Sequence, residues 1–461
     1  MSLMTPSQDE LQAQLERAAE RLQVPGAAVG VYHAGTELYA VYGVTSRENP
    51  LPVTEDTLFQ FGSTGKTLTA TTVMVLADRG EVRLDAPVQT YVPEFRVLDE
   101  DASRTVTVLQ LLNHSAGWQG DLFVDTGMGD DAIARYVERM ADLEQVTPVG
   151  ATASYNNASL VLAGRVIEKV SGETYEAAVT RLVLEPLGLE HTLALLNDVM
   201  TRRFALGHLQ RPDGTIETTR PWIFPRAITP AGCWSASIRD QVAWARFHLG
   251  EGRNKDGQPL LARETLARMQ EPTFAMGGGV LGDYCGITWL MEDVGGVRVV
   301  GHSGSTPGQA SDLRMVPARD FAVSVLTNLQ PYGAQLYTEM IVWALERFLG
   351  VVEKREEALM LSDAELEQYV GSYETIRSWL HVSCVDGGLQ VIGEPKERDP
   401  MRENDPSQPE AFPISLLPED RFVLSSGGYA GMKGYFARDQ AGLVTGINFG
   451  GRLATRAALR P

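Results

Sequence analysis

The sequence predicts a mixed α/β domain interrupted by a helical one, followed by a small all-β domain. Three features carry this expectation. Strand-like runs sit at both ends of the first 350 residues, helix-like stretches fill the middle, and the last hundred residues hold short β-like runs broken by glycine turns. Strands distant in sequence pair around an insertion, which leaves a cleft between the two parts as the expected place for a functional site.

In chain order, Ala27 to Val44 reads as two β-rich runs, AAVGVYHAG and ELYAVYGV, joined at Ala34 to Thr36 into a hairpin. From Thr64 to Asp78 small and apolar residues recur at helical spacing without proline, and Gly80 stands where that helix would stop. Residues 87–247 alternate helical stretches such as ASLVLAGRVIEKVSG with Pro- and Gly-rich connections. Strands return in ITWLMEDV, VRVVGHSG and DFAVSVLTN, and a helix is expected from Ala334 to Phe348. The boundaries expected are a large unit over 1–350, a charged linker over 351–361, and an all-β unit over 362–461 with turns at Asp386-Gly387-Gly388, Gly427-Gly428 and Gly450-Gly451. Within the last unit, PKERDPMRENDPSQPEA lacks apolar periodicity and reads as a loop.

Composition narrows the function. The 461 residues are 44% hydrophobic and 21% charged, ordinary values for a folded protein. With 59 acidic against 40 basic residues the net charge is -19, which repels phosphate backbones and anionic lipid, so no nucleic-acid or membrane partner is expected. No apolar run approaches the roughly 20 residues that span a bilayer. The start, MSLMTPSQDELQAQ, lacks the basic and apolar regions of a secretory signal, and a cytoplasmic location is expected. Cys233, Cys285 and Cys384 lie far apart with no CxxC spacing and read as buried thiols. The seven histidines show no HExxH and no pair at ligand spacing, so no metal and no cofactor is expected.

Three short elements carry chemistry. Ser63-Thr64-Gly65-Lys66 puts a hydroxyl and an amine three residues apart, on one face at the mouth of the expected helix. Serine is a poor nucleophile until a base takes its proton. Lysine is such a base only when neutral, which requires lowering its pKa from about 10.4 through desolvation and nearby charge. Lys66 lies in an otherwise uncharged run, TGKTLTATTVMVLA, which suits that requirement. Tyr155-Asn156-Asn157 follows a turn-rich stretch; it is a helix start, and also a place where a phenol shuttles a proton while the Asn157 amide orients substrate. His302-Ser303-Gly304 ends the VRVVG strand, where Gly304 lets the backbone approach a ligand closely. Taken singly, each is compatible with chance or a purely structural role.

Together they run SxxK, YxN, HxG at about 90 and about 145 residues of separation, and here the chain resembles the penicillin-recognising serine hydrolases: class C β-lactamases, DD-peptidases, D-aminopeptidases and related esterases. The likeness spans roughly 20–348 and includes LFQFGSTGKTLTA, ADRGEVRLDAPVQTYVPEF, LLNHSAGW, EPLGLEHT and GHSGSTPG. It implies a β-lactamase-like catalytic domain, α/β plus all-α, acting on a small-molecule substrate (short peptide, ester or β-lactam). Ser63 is then the nucleophile, Lys66 its base or relay and Tyr155 the general acid/base. Asn157 orients substrate, His302 polarises the site, and the N–H groups of Ser63 and Ser305 form an oxyanion hole. The chain carries HSG where class C β-lactamases carry KTG. A neutral imidazole supplies no fixed charge for a substrate carboxylate, so a D-amino acid peptidase or esterase is favoured over an efficient β-lactamase. The last hundred residues resemble a lipocalin-like barrel through LEQYVGSYE and GLVTGINFGGRLATR, with ligand holding, cleft narrowing, association and plain stabilisation all open as roles. Two other readings compete: an α/β-hydrolase elbow built on Ser303, and a catalytically silent scaffold of the same fold.

Overall fold

The computed structural model describes residues 6–457 except 212, 223, 252, 355 and 397–409. Most of the expected 395–411 loop lies outside the described residues. The chain opens with α1 (Gln8–Arg21), a helix not expected from the sequence; Ser7 and Glu10 close a reciprocal capping box at its start. The expected hairpin follows as β1 (Gly26–His33) and β2 (Thr36–Gly43).

These two strands complete an eight-stranded antiparallel sheet whose other members lie more than 200 residues away. Numbering its strands along the chain, they are β3 (Phe274–Gly279), β4 (Gly282–Cys285), β5 (Leu290–Val294), β6 (Val297–Thr306), β7 (Gln309–Val316) and β8 (Phe321–Thr327), in the spatial order β2-β1-β8-β7-β6-β5-β4-β3. The N-terminal hairpin pairs with β8 in the register Val29↔Val325, so pairing around an insertion is what the chain does. The β3–β4 hairpin was not anticipated. ITWLMEDV becomes a strand only from Leu290, because Thr288 takes a positive φ of 69° and breaks extended pairing before it.

Both faces of the sheet are covered, as the unbroken apolar runs of β1 and β8 require. Ala27, Val29, Val31, Val323 and Val325 face α1 and the C-terminal helix Tyr332–Leu349 through Leu11, Leu15, Leu336 and Met340. Ala28, Tyr32, Ala322 and Leu326 face the larger core, which includes Ile238 and Val242 of the helix Ile238–Arg246. Gly30 lets that helix seat, since a Cβ there would stand 2.4 Å from Val242 Cγ2. The insertion is mainly helical, and at its centre α2 (Lys66–Asp78) is buried from Lys66 through Leu76. Four threonines inside such a helix need internal partners. Three find a carbonyl each: Thr67 that of Thr64, Thr69 that of Pro230 and Thr72 that of Leu68. Thr71 faces the ring of the buried His248.

The C-terminal strands, from Gly371–Glu374 to Arg452–Arg456, form a closed eight-stranded antiparallel barrel, the lipocalin-like architecture. Its interior is occupied by side chains, among them Tyr373, Val391, Phe422, Phe436 and Ile447. Cys233 and Cys285 are buried as expected, whereas Cys384 is exposed on a barrel strand. No helix among the described residues is long and apolar enough to cross a membrane.

Leu326 is fully buried on β8 opposite Ala28, where the N-terminal hairpin is zipped to the strands that follow the helical insertion. Leu326→Ala is expected to cost about 2–5 kcal/mol of stability, read as a lower denaturation midpoint with an unchanged denaturant slope.

Candidate active site

Ser63 lies on a 3-10 turn, Gly62–Gly65, that runs into α2 where a continuous helix from Thr64 was expected. The turn aims the half-buried Ser63 into a cleft of about 560 Å³ while Lys66, one turn on, is completely buried. Lys66 Nζ stands 2.9 Å from Ser63 Oγ and 2.5 Å from the Ala231 carbonyl. Burial pushes the Lys66 amine well below its ordinary pKa, with the Arg452 guanidinium adding to the shift and Asp121 and Cys233 opposing it. A neutral amine keeps one lone pair, and the Ala231 carbonyl engages an N–H, leaving that lone pair available to the serine.

Tyr155 packs against both. Lys66 Nζ lies 4.7 Å from the phenol ring centre. Burial raises the phenol's pKa, against the pull of a hydrogen bond with Ser63 and of the Arg452 charge, so the group is protonated at neutral pH. The backbone here follows from capping: Asn156 is the N-cap of the helix Asn157–Ser171 and accepts from the Ser159 N–H, which fixes the direction of the residues on either side. His114 supports the other side of the phenol, its ring centre 4.5 Å away. Its Nδ1 accepts from the Asn156 N–H, and burial drives its pKa well down, so the ring is neutral and carries its proton on Nε2.

The strand β6 forms the opposite wall. It pairs with β5 only as far as Gly301, and the remaining edge lies against the Ser63 turn. Thr64 Oγ1 donates to the His302 carbonyl and Ser311 Oγ to the Phe61 carbonyl, clamping turn to sheet. A Cβ on Gly304 would fall 2.0 Å from the Phe61 carbonyl oxygen and 2.7 Å from the Ser63 nitrogen; one on Gly62 would fall 2.3 Å from the Ser305 nitrogen. Two glycines thus let the Ser63 turn and β6 meet backbone to backbone, with the Ser63 and Ser305 nitrogens both at that contact. Ser305 Oγ accepts from Gln330 Nε2 at 2.7 Å. His302 is buried, its pKa pushed down to about 3 chiefly by burial and next by Lys66, and its Nδ1 donates to the Ser303 carbonyl at 2.6 Å. It is an uncharged imidazole.

Every site residue expected from the sequence therefore lies around one cleft: Ser63, Tyr155, Asn157, His302, Gly304 and Ser305 line it, with Lys66 directly beneath. Ser303 sits inside β6 with three more strand residues after it and no following helix, so it forms no nucleophile elbow. Sequence reasoning missed three neighbours. His114 was inside the LLNHSAGW block and so was within reach of it. Asp121 lay in no such block, and Arg452 lay in GLVTGINFGGRLATR with nothing there to tie it to the site: it follows the Gly450-Gly451 turn of the last barrel hairpin, pairs with Asp121 at 2.9 Å and lies 4.7 Å from the Tyr155 ring centre. Among the described residues no cluster of three or more His, Cys, Asp or Glu is placed to hold a metal.

A split α/β and helical fold with a serine at the junction, beside a buried lysine whose pKa is pushed well down, defines a serine hydrolase of the β-lactamase and penicillin-binding-protein type. The comparisons agree. The Beta-lactamase family model matches residues 11–342, and the chain belongs to that family. It is 36% identical over 335 residues to "Penicillin-binding protein 4" of Amycolatopsis lactamdurans, covering 71% of this chain and 87% of that one. It is 34% identical over 194 residues to "Esterase EstB" of Burkholderia gladioli, covering 39% and 49% of the two chains. Among solved structures, SurE superposes with a TM-score of 0.76 at 27% identity, over 98% of this chain and 99% of that one, barrel included.

Because Gly304 has no room for a Cβ against the Phe61 carbonyl, Gly304→Ala is expected to push β6 off the Ser63 turn. Ester turnover (kcat/KM) should fall by about 10²-fold or more, as when one oxyanion donor is lost.

Proposed function

We propose that this serine hydrolase cleaves amide or ester bonds of small peptides carrying D-amino acids, through an acyl-enzyme on Ser63. The observation that carries the reading is Lys66, buried and held neutral 2.9 Å from Ser63 Oγ. In the proposed reaction Lys66 takes the Ser63 proton as Oγ attacks the substrate carbonyl, and the oxyanion forms toward the Ser63 and Ser305 N–H groups. Tyr155, protonated and in contact with Lys66, passes its proton to the leaving nitrogen or oxygen and takes one back from the Lys66 ammonium, so both groups return to their starting states. Water then attacks the acyl-enzyme along the same relay in reverse and releases the acid. Asn157 and His302 act on the substrate side of this scheme, with residues 1–350 as the catalytic unit.

The substrate class rests on the cleft and on one neighbour. Phe123, Phe224, Ile228, Leu281 and Leu290 give it apolar walls suited to hydrophobic side chains. SurE, whose likeness extends over the whole chain, has been solved with D-Leu. The neutral His302 leaves this position without the fixed charge that clamps a β-lactam carboxylate, which supports slow β-lactam turnover.

A panel of p-nitrophenyl esters, D- and L-amino acid p-nitroanilides and nitrocefin tests the preference. The D-anilides and short esters should be turned over faster than the L-anilides and nitrocefin, and the reverse order would overturn the assignment. Intact mass after a fluorophosphonate should show one adduct, absent in Ser63→Ala, which should also lose about 10³-fold or more of kcat. An adduct retained in that variant removes the mechanism. The pH profile has a definite sign: Lys66 becomes an ammonium only as pH falls through its depressed pKa. For a neutral ester, kcat/KM should therefore rise from the acid side and level off well before the pH at which an ordinary lysine titrates, whereas a lysine with an ordinary pKa would keep it rising to about pH 10.

A further inference from the structure

The last hairpin of the barrel, Val444–Phe449 and Arg452–Arg456, turns through Gly450 and Gly451, both at positive φ (57° and 82°), and inserts this turn beside the YxN segment. Two backbone contacts cross the junction: the Tyr155 N–H donates to the Gly451 carbonyl at 2.9 Å, and the Leu453 N–H donates to Ser154 Oγ at 3.2 Å. Arg452 then reaches farther in. Its Nη1 donates to the Gly450 carbonyl, its Nε and Nη2 donate to the two Asp121 oxygens at 2.9 and 3.2 Å, and its guanidinium lies over the Tyr155 ring. Asp121 in turn accepts from Asn157 Nδ2 at 2.7 Å.

We propose that Arg452, delivered by the C-terminal barrel, is a positioning residue for the reaction at Ser63: through Asp121 it holds the Asn157 amide, and with the Gly451 carbonyl it holds Tyr155. One guanidinium fork thereby sets both functional members of the YxN element. Lysine cannot substitute, since a single ammonium does not span both carboxylate oxygens and the ring face. Arg452 keeps 36% of its side-chain surface open and Asp121 14%, so the pair is largely shielded and breaking it costs stability as well as alignment, which is why the melting temperature is read beside the kinetics. The same geometry puts a fixed positive charge near the buried amine of Lys66, which is also faced by Tyr155, His114, His302, Cys233 and Asp121. The arginine disfavours an ammonium there and the aspartate favours one.

This inference rests on the acyl-enzyme reading, and Ser63→Ala assayed on the same substrate separates the two: activity retained there sinks the reading itself. The test uses the full chain, a neutral p-nitrophenyl ester, the pH profile of kcat/KM and the melting temperature. Arg452→Gln should lower kcat by about 10- to 100-fold with KM within about threefold, because alignment is lost while apolar binding is kept. Its acid limb should move to higher pH. Asp121→Asn should also lower kcat but move the limb to lower pH, and Arg452→Lys should restore the limb without restoring kcat. Opposite displacements at similar melting temperatures are what a merely structural pair cannot produce. A folded Arg452→Gln with kcat within threefold of the parent overturns the proposal, as do limbs that shift together. Should Arg452→Gln not fold, Asp121→Asn and Arg452→Lys break the same link, and a kcat within threefold of the parent in both overturns the proposal equally.

Discussion

An amine with no exposed surface, held beside a hydroxyl and not allowed to keep its charge, is the constraint around which this protein is arranged. Among the described residues no carboxylate forms an ion pair with Lys66; its hydrogen-bond partners are the Ala231 carbonyl and Ser63. Burial without a counter-ion is what makes a lysine basic in function instead of cationic in structure. The arrangement costs stability. Folding releases the Lys66 proton whenever the pH lies between the depressed native pKa and the ordinary value of 10.5, so in that window this residue's contribution becomes less unfavourable as pH rises.

Keeping such a site dry while leaving Ser63 reachable requires two rigid walls in close approach. One is α2, buried on all sides, its threonine hydroxyls absorbed internally so that none competes for Lys66. The other is the free edge of β6, which reaches the Ser63 turn only because Gly62 and Gly304 meet backbone to backbone. The sheet holds that edge in register through pairing that begins at the N-terminal hairpin and passes across β8 and β7. Geometry at Ser63 thus depends on contacts spread over nearly the whole of the first 330 residues.

The barrel adds a third wall. Its filled interior argues for a buttress, and its turn at Gly450–Gly451 supplies the polar contacts that meet Tyr155 and Asp121. Arg377, Tyr429 and Met432 of the same unit also line the cleft. The cleft is therefore lined from both the first 350 residues and the barrel.

Much of this was legible in the amino-acid order. Periodicity revealed the first hairpin, α2, β6, β8 and the long C-terminal helix, because each has a strong apolar repeat and a clear stop. Three short motifs, each weak alone, marked Ser63, Lys66, Tyr155, Asn157, His302 and Gly304 because together and in that order they resemble those of a known family. The neutrality of Lys66 was foreshadowed by its uncharged surroundings. Other features were not local. The β3–β4 hairpin is glycine-rich with little alternation, and the break at Thr288 depends on a backbone angle that no propensity announces. Arg452 lies 331 residues from Asp121, and nothing in either neighbourhood marks the pair. Local chemistry is written in spacing along the chain, but an ion pair between units exists only after the barrel closes and docks.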